Sequence, residues 1–215
     1  MVRMIDMFPE AVRKKLDFFN KDKYTIATEE VDLKEKKKYG EVCLKCKLNK
    51  DTLIFMEPEK NTLPYLDEKI KYAKACPDKF LFELDTDDKW ILHVMEFKRT
   101  IDTSSISKSK RQFVMGIYNA RALAGFLNMQ VKEIHIYSAY RNDKIESMDD
   151  SLIQIRSMNM DPEALKIIRE WKKGKCSLDL DSRNSVFPHE KIQLDHDGKG
   201  ECVLKQKITD CMKVV

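Results

Sequence analysis

Pro77-Asp78 and Glu96-Phe97-Lys98 are the residues whose types and spacing could do chemistry. Trp90 to Lys98 reads as a strand, so Glu96 and Lys98, two apart, share one face at a separation of about 6.6 Å. That face otherwise carries Leu92 and Val94, where a glutamate and a lysine are costly without a purpose or an exit to solvent. Lys79 to Leu84 reads as a second strand, and Asp85-Thr86-Asp87-Asp88 as the turn between the two. Folding this hairpin brings Asp78 to the end that holds Glu96. One register sets Asp78 beside the neighbour of Glu96 and the next sets it directly opposite Glu96. The sequence leaves this open, because a slip of one residue turns a side chain to the other face. Two carboxylates and a main-chain carbonyl, that of Phe97, make a hard-oxygen site suited to Mg2+ or Mn2+. A cation there lowers the pKa of a bound water and clamps phosphate oxygens, while Lys98 can orient the water or stabilise charge developing on phosphate.

The elements that must position these residues follow from periodicity. Ile5 to Asn20 reads as a helix with Met7, Val12, Leu16 and Phe19 apolar, and Asp32 to Lys38 as a solvated charged stretch. Glu41 to Leu48 and Thr52 to Met56 read as strands separated by the turn residues Asn49-Lys50-Asp51. Pro64 to Ala75 carries Leu66, Ile70 and Ala73 at helical spacing and stops at Cys76-Pro77. Thr103 to Ser107 reads as a polar link into a helix that ends at Leu127. Phe113, Ile117, Ala120, Ala124 and Leu127 form its apolar stripe, and Gly116, Ala120 and Ala124 let it lie close to a sheet. Val131 to Tyr137 is a further strand, and strand, helix, strand in that order implies a parallel crossover. Asp161-Pro162 opens a later helix that ends at Gly174. Lys191 to Leu194 and Glu201 to Ile208 read as a β-hairpin around Asp195-His196-Asp197-Gly198.

This motif and the helix after it resemble the PD-(D/E)XK nuclease superfamily over roughly Pro64 to Tyr140. The resemblance implies an α/β fold with a restriction-endonuclease-like core, a central mixed β-sheet flanked by helices. Residues 1–145 would form that core with its N-terminal helix, and 146–215 a C-terminal extension of helix and hairpin serving substrate or dimerisation. It implies that Asp78 and Glu96 bind the metal and that Lys98 assists the water. An acidic residue of the preceding helix, Glu68 in preference to Asp67, would also reach the metal, and Gln112 would be the polar residue of the following helix. Lys108, Lys110 and Arg111 beside it would contact phosphates. The implied function is a metal-dependent nuclease hydrolysing phosphodiester bonds in DNA or RNA. The alternative is a catalytically inactive nucleic-acid- or protein-binding module of the same fold. Some members bind an iron–sulfur cluster through four cysteines; Cys43, Cys176, Cys202 and Cys211 lack the tight late spacing this requires.

The bulk properties bound these readings. A chain of 215 residues, 42% hydrophobic and 35% charged, can build a sizeable core. No apolar run is long enough to span a bilayer and the N-terminus lacks signal-peptide architecture, so a cytoplasmic, non-membrane protein is expected, a homodimer being possible. A net charge of +4 permits a nucleic-acid partner without demanding one. Cys43-x-x-Cys46 has zinc-knuckle spacing, but residues three apart on a strand face opposite ways, and ordinary thiols are the expectation. His93 and His135 fall on the face opposite Glu96 as packed or edge residues, Arg121 adds positive charge to the central helix, and Phe187-Pro188-His189-Glu190 reads as a loop over the site.

Overall fold

The computed structural model describes residues 7–37, 40–148 and 161–204. The strands are β1 (Tyr24–Ala27), β2 (Glu30–Lys37), β3 (Gly40–Lys47), β4 (Thr52–Phe55), β5 (Lys79–Leu84), β6 (Lys89–Ile101), β7 (Gln130–Asp143), β8 (Lys175–Leu180), β9 (Arg183–Gln193) and β10 (Lys199–Val203). The helices are α1 (Glu10–Leu16), α2 (Thr103–Leu127) and α3 (Pro162–Lys172). The protein is α/β, with a mixed seven-stranded sheet in the order β1-β4-β5-β6-β7-β9-β8 and a three-stranded sheet in the order β10-β3-β2. β5 is antiparallel to β6, whereas β6, β7 and β9 run parallel, with α2 making the β6-to-β7 crossover.

Alternation along the central strands divides the core into two layers. Phe80, Phe82, Trp90, Leu92, Val94, Ile134 and Ile136 face Val12 and Leu16 of α1 and the expected stripe of α2. Leu81, Met95, Phe97, Tyr137 and Ala139 face Leu33, Leu44 and Cys46 of the small sheet. A third cluster joins Ile101 and Ile106 to Ile167, Ile168 and Trp171 of α3. The three helices therefore cover one face of the central sheet and the small sheet covers the other. Among the described residues, no helix is long and apolar enough to cross a membrane.

Several elements depart from the sequence expectations. The first helix is confined to Glu10–Leu16, with the expected start at Ile5 outside the described residues. The charged stretch at Asp32–Lys38 is largely strand β2, whose Leu33 turns into the core while Asp32 and Lys34 face out. Pro64 to Ala75 forms successive turns instead of a helix. Asp67 Oδ1 accepts the Lys69 N–H at 2.9 Å, and Tyr72 has φ 71°, so local side-chain bonding and a left-handed residue displace helical pairing. The link before α2 is its first turn: Asp102 and Ser105 form a reciprocal cap, each side chain accepting the other's main-chain N–H at 2.8 Å. The C-terminal hairpin is β8–β9, whose turn residues Asp181 and Ser182 both have positive φ. Over the described residues, which end at Leu204, the expected pairing of Lys191–Leu194 with Glu201 onward does not form, because β10 pairs parallel with β3; the rest of that expected strand, 205–208, lies outside the described residues. Through β9, which lies beside β7, residues 183–193 belong to the same sheet as β5 and β6.

Candidate functional site

The β5–β6 ladder pairs Leu84 with Trp90 and Lys79 with Met95. Continuing it by one residue sets Asp78 opposite Glu96, on the helix-covered face. β5 begins at Lys79 while β6 runs on to Ile101, so Glu96 and Lys98 stand where the shorter strand has given way to the chain entering from Pro77. The parallel β6–β7 pairing continues the row to Ser138.

These side chains are enclosed. Asp78 is 7% exposed and Glu96 1%. Asp78 Oδ2 accepts the main-chain N–H of Phe97 at 2.7 Å. The Lys98 ammonium donates to Glu96 Oε1 and, at 2.9 Å, to Gln112 Oε1. Gln112 Nε2 donates to the Cys76 carbonyl at 3.1 Å. A continuous chain of contacts thus runs from Glu96 through Lys98 and Gln112 of α2 to Cys76, two residues before Asp78. Helix α2 comes this close because position 116 is glycine: a Cβ there would stand 2.2 Å from Pro77 Cδ.

Asp78, Glu96, Lys98 and Gln112 are therefore brought together. The Phe97 side chain packs in the opposite layer, leaving its main chain at the site. Glu68 is placed differently: its side chain is 79% exposed, with Lys74 3.4 Å away. The acidic residue linked electrostatically to Asp78 is Glu59, in the single 3-10 turn Pro58–Lys60. Burial raises the Glu59 pKa. Its own backbone and Lys79 oppose that rise, and Asp78 and Glu35 add to it. Its Oε2 is enclosed and has no hydrogen-bond partner among the described residues. Burial also pushes the Cys76 thiol up to about 12, with Asn119 opposing and Glu59, Glu96 and Asp78 contributing to the rise. Nothing in the local sequence marks Glu59, since a 3-10 turn has no periodicity.

The basic residues of α2 have separate placements. Arg111 lies over the Tyr72 ring at 4.3 Å, pinning the segment that leads to Asp78. Lys110 pairs with Glu170 of α3 at 2.8 Å and Arg121 with Asp181 at 2.7 Å. Lys108 is exposed. Phe187 to Glu190 is strand rather than loop, and buried His189 has its Nε2 2.8 Å from Ser138 Oγ, next to Glu96 in the row.

On the opposite face lies a buried polar group. His93 Nδ1 is 3.1 Å from the Tyr137 hydroxyl and Nε2 is 3.2 Å from Glu83 Oε2, with both His93 and Glu83 fully buried. The His135 ring packs 5.1 Å from that of His93, and its Nε2 is 3.3 Å from Glu133 Oε2. Nearby, Lys79 donates to Glu35 Oε2 at 2.8 Å and to the Met56 carbonyl at 2.5 Å, tying the two sheets together beside Asp78.

The donor set at Asp78 is hard oxygen throughout, and the enclosed Glu59 Oε2 is an atom that a hard cation would satisfy. In that chemical sense the residues fit Mg2+ or Mn2+. Among the described residues, no three His, Cys, Asp or Glu side chains already converge at metal-holding spacing. Comparison with protein-family models, with curated proteins and with solved structures finds no match to this chain.

Proposed function

We propose that the protein is a metal-dependent phosphodiesterase with a restriction-endonuclease-like core, acting on DNA or RNA. The observation that carries this reading is the β5–β6 register, which sets Asp78 opposite Glu96 with Lys98 on the same face. Asp78, Glu96 and Glu59 would hold the cation. A divalent ion bound there supplies a water of lowered pKa and a counter-charge for phosphate oxygens. Lys98, held by Gln112, carries its ammonium beside Glu96, where it can orient the attacking water and stabilise negative charge. The Phe97 N–H fixes one oxygen of Asp78 and so the orientation of its carboxylate. Arg111 and Lys108, at the start of α2, would meet the phosphates on either side of the cut.

The test is cleavage of labelled single- and double-stranded DNA and RNA with Mg2+ or Mn2+, by the wild type and by Asp78→Asn and Lys98→Met. Cutting that needs the metal and is lost in both variants supports the reading and identifies the substrate. Nucleic-acid binding without cutting, unchanged in the variants, would replace it with a binding module of the same fold.

A further inference from the structure

We propose that Cys46 and Cys202 form an oxidative modification site, a reversible disulfide fastening β10 to β3. The two residues are register partners in the parallel β3–β10 ladder, and their Sγ atoms lie 3.0 Å apart. Adjacent strands run about 4.8 Å apart. That spacing falls within the Cα separation of roughly 4.4–6.8 Å that a disulfide spans, so the bond needs no large backbone movement. The other described cysteines are placed elsewhere. Cys43 is three residues from Cys46 and turns to the other face of β3, while Cys76 and Cys176 belong to the helix-side core.

The chemistry is unsymmetrical. Cys46 is fully buried, whereas Cys202 is partly exposed, so an oxidant meets Cys202 first. The hydrogen bond to Cys202 and burial hold the Cys46 thiol protonated far above its ordinary range. With a peroxide as oxidant, the Cys202 thiolate attacks one oxygen and the O–O bond breaks. Cys202 becomes a sulfenic acid, and the departing hydroxide collects the proton that Cys202 released. Cys46 Sγ then attacks Cys202 Sγ: the S–S bond forms, the S–O bond breaks, and the hydroxide leaves as water with the Cys46 proton. Two thiols and one hydrogen peroxide give one disulfide and two waters, and a dithiol reductant returns the two electrons.

The bond changes an edge. β10 closes one side of the small sheet and pairs with β3 along Lys199 to Val203. The small sheet covers the face behind Asp78 and supplies Glu35 to Lys79. A covalent link prevents β10 from peeling away and stiffens that layer.

The test treats the full chain with a small excess of hydrogen peroxide, alkylates the remaining thiols and maps the peptides by mass spectrometry. A Cys46–Cys202 linked peptide should appear and vanish with dithiothreitol, and the oxidised protein should melt several degrees higher than the reduced one. Cys202→Ser, a near-isosteric change at a partly exposed position, should melt like the reduced wild type and show no gain with peroxide. Alkylation of both cysteines after oxidation would overturn the proposal. So would a link from Cys202 to Cys43 or Cys211, or Cys202 recovered as sulfinic acid beside a free Cys46. None of these outcomes depends on nuclease activity.

Discussion

The carboxylate of Asp78 is anchored to the strand opposite, its Oδ2 accepting the Phe97 N–H at 2.7 Å. The bond fixes the site and also satisfies a buried donor, so substitutions at this position separate chemistry from stability. Asp78→Asn keeps an acceptor for Phe97 and should fold normally, while the proposed cleavage should fall at least ~100-fold. Asp78→Ala removes the acceptor that Phe97 N–H uses and should lose a further ~1–3 kcal/mol in urea unfolding. Equal stability of the two variants would show that the bond contributes nothing.

Lys98 and Glu96 are a buried pair, with side chains 13% and 2% exposed. Lys98→Met breaks this buried pair and should cost about 3–5 kcal/mol. Glu96→Gln in the same chain removes the carboxylate charge as well, so the double variant should regain most of that loss. A double-mutant cycle by chemical denaturation measures the coupling.

Gly116 is where α2 presses on Pro77. Gly116→Ala puts a methyl group into the Pro77 ring and should destabilise by about 1–3 kcal/mol, with a fall in activity as Asp78 is pushed from its register. Pro77→Ala in the same chain opens the space, and thermal melts should show partial recovery.

His189 gives a pH signature. Burial, with Lys191 and Lys110 adding, lowers its imidazole from the ordinary 6.5 to about 3, and Glu170 opposes the shift. The unfolded chain takes up a proton below about 6.5 that the folded protein refuses until about 3. Stability from the neutral ring is therefore complete above the upper value and declines as pH falls, by about 1.4 kcal/mol per pH unit within the window. Urea unfolding across that window should show this slope in the wild type and a shallower one in His189→Gln. Parallel profiles would contradict it.

The elements that carry the candidate site were legible in the sequence where strong local patterns marked them. β5 and β6 are long apolar runs, and the small-residue stripe of α2 lies where its spacing indicated. The register was not legible, because it depends on how the Asp85–Asp88 turn is made, with Asp87 and Asp88 both in left-handed conformation. The helix expected over Pro64 to Ala75 did not form: its apolar spacing builds no buried face, Ile70 being largely exposed, and Asp67 captured a nearby main-chain N–H. Strand β2 was masked by its charge, since the partner that makes Glu35 tolerable, Lys79, lies far along the chain. The exchange of β10 from an expected hairpin to β3 is likewise a long-range choice.

The segment between Glu59 and Asp78 starts and finishes at the same cluster, and Arg111 on Tyr72 and Gln112 on Cys76 staple it near its second end. Its middle contributes little to the core; Tyr65 and Ile70 are largely exposed. Its anchors are thus independent of its contents. Such a segment behaves as a cassette: insertions, deletions or grafted sequences between about residues 61 and 71 can be exchanged while both ends stay fixed.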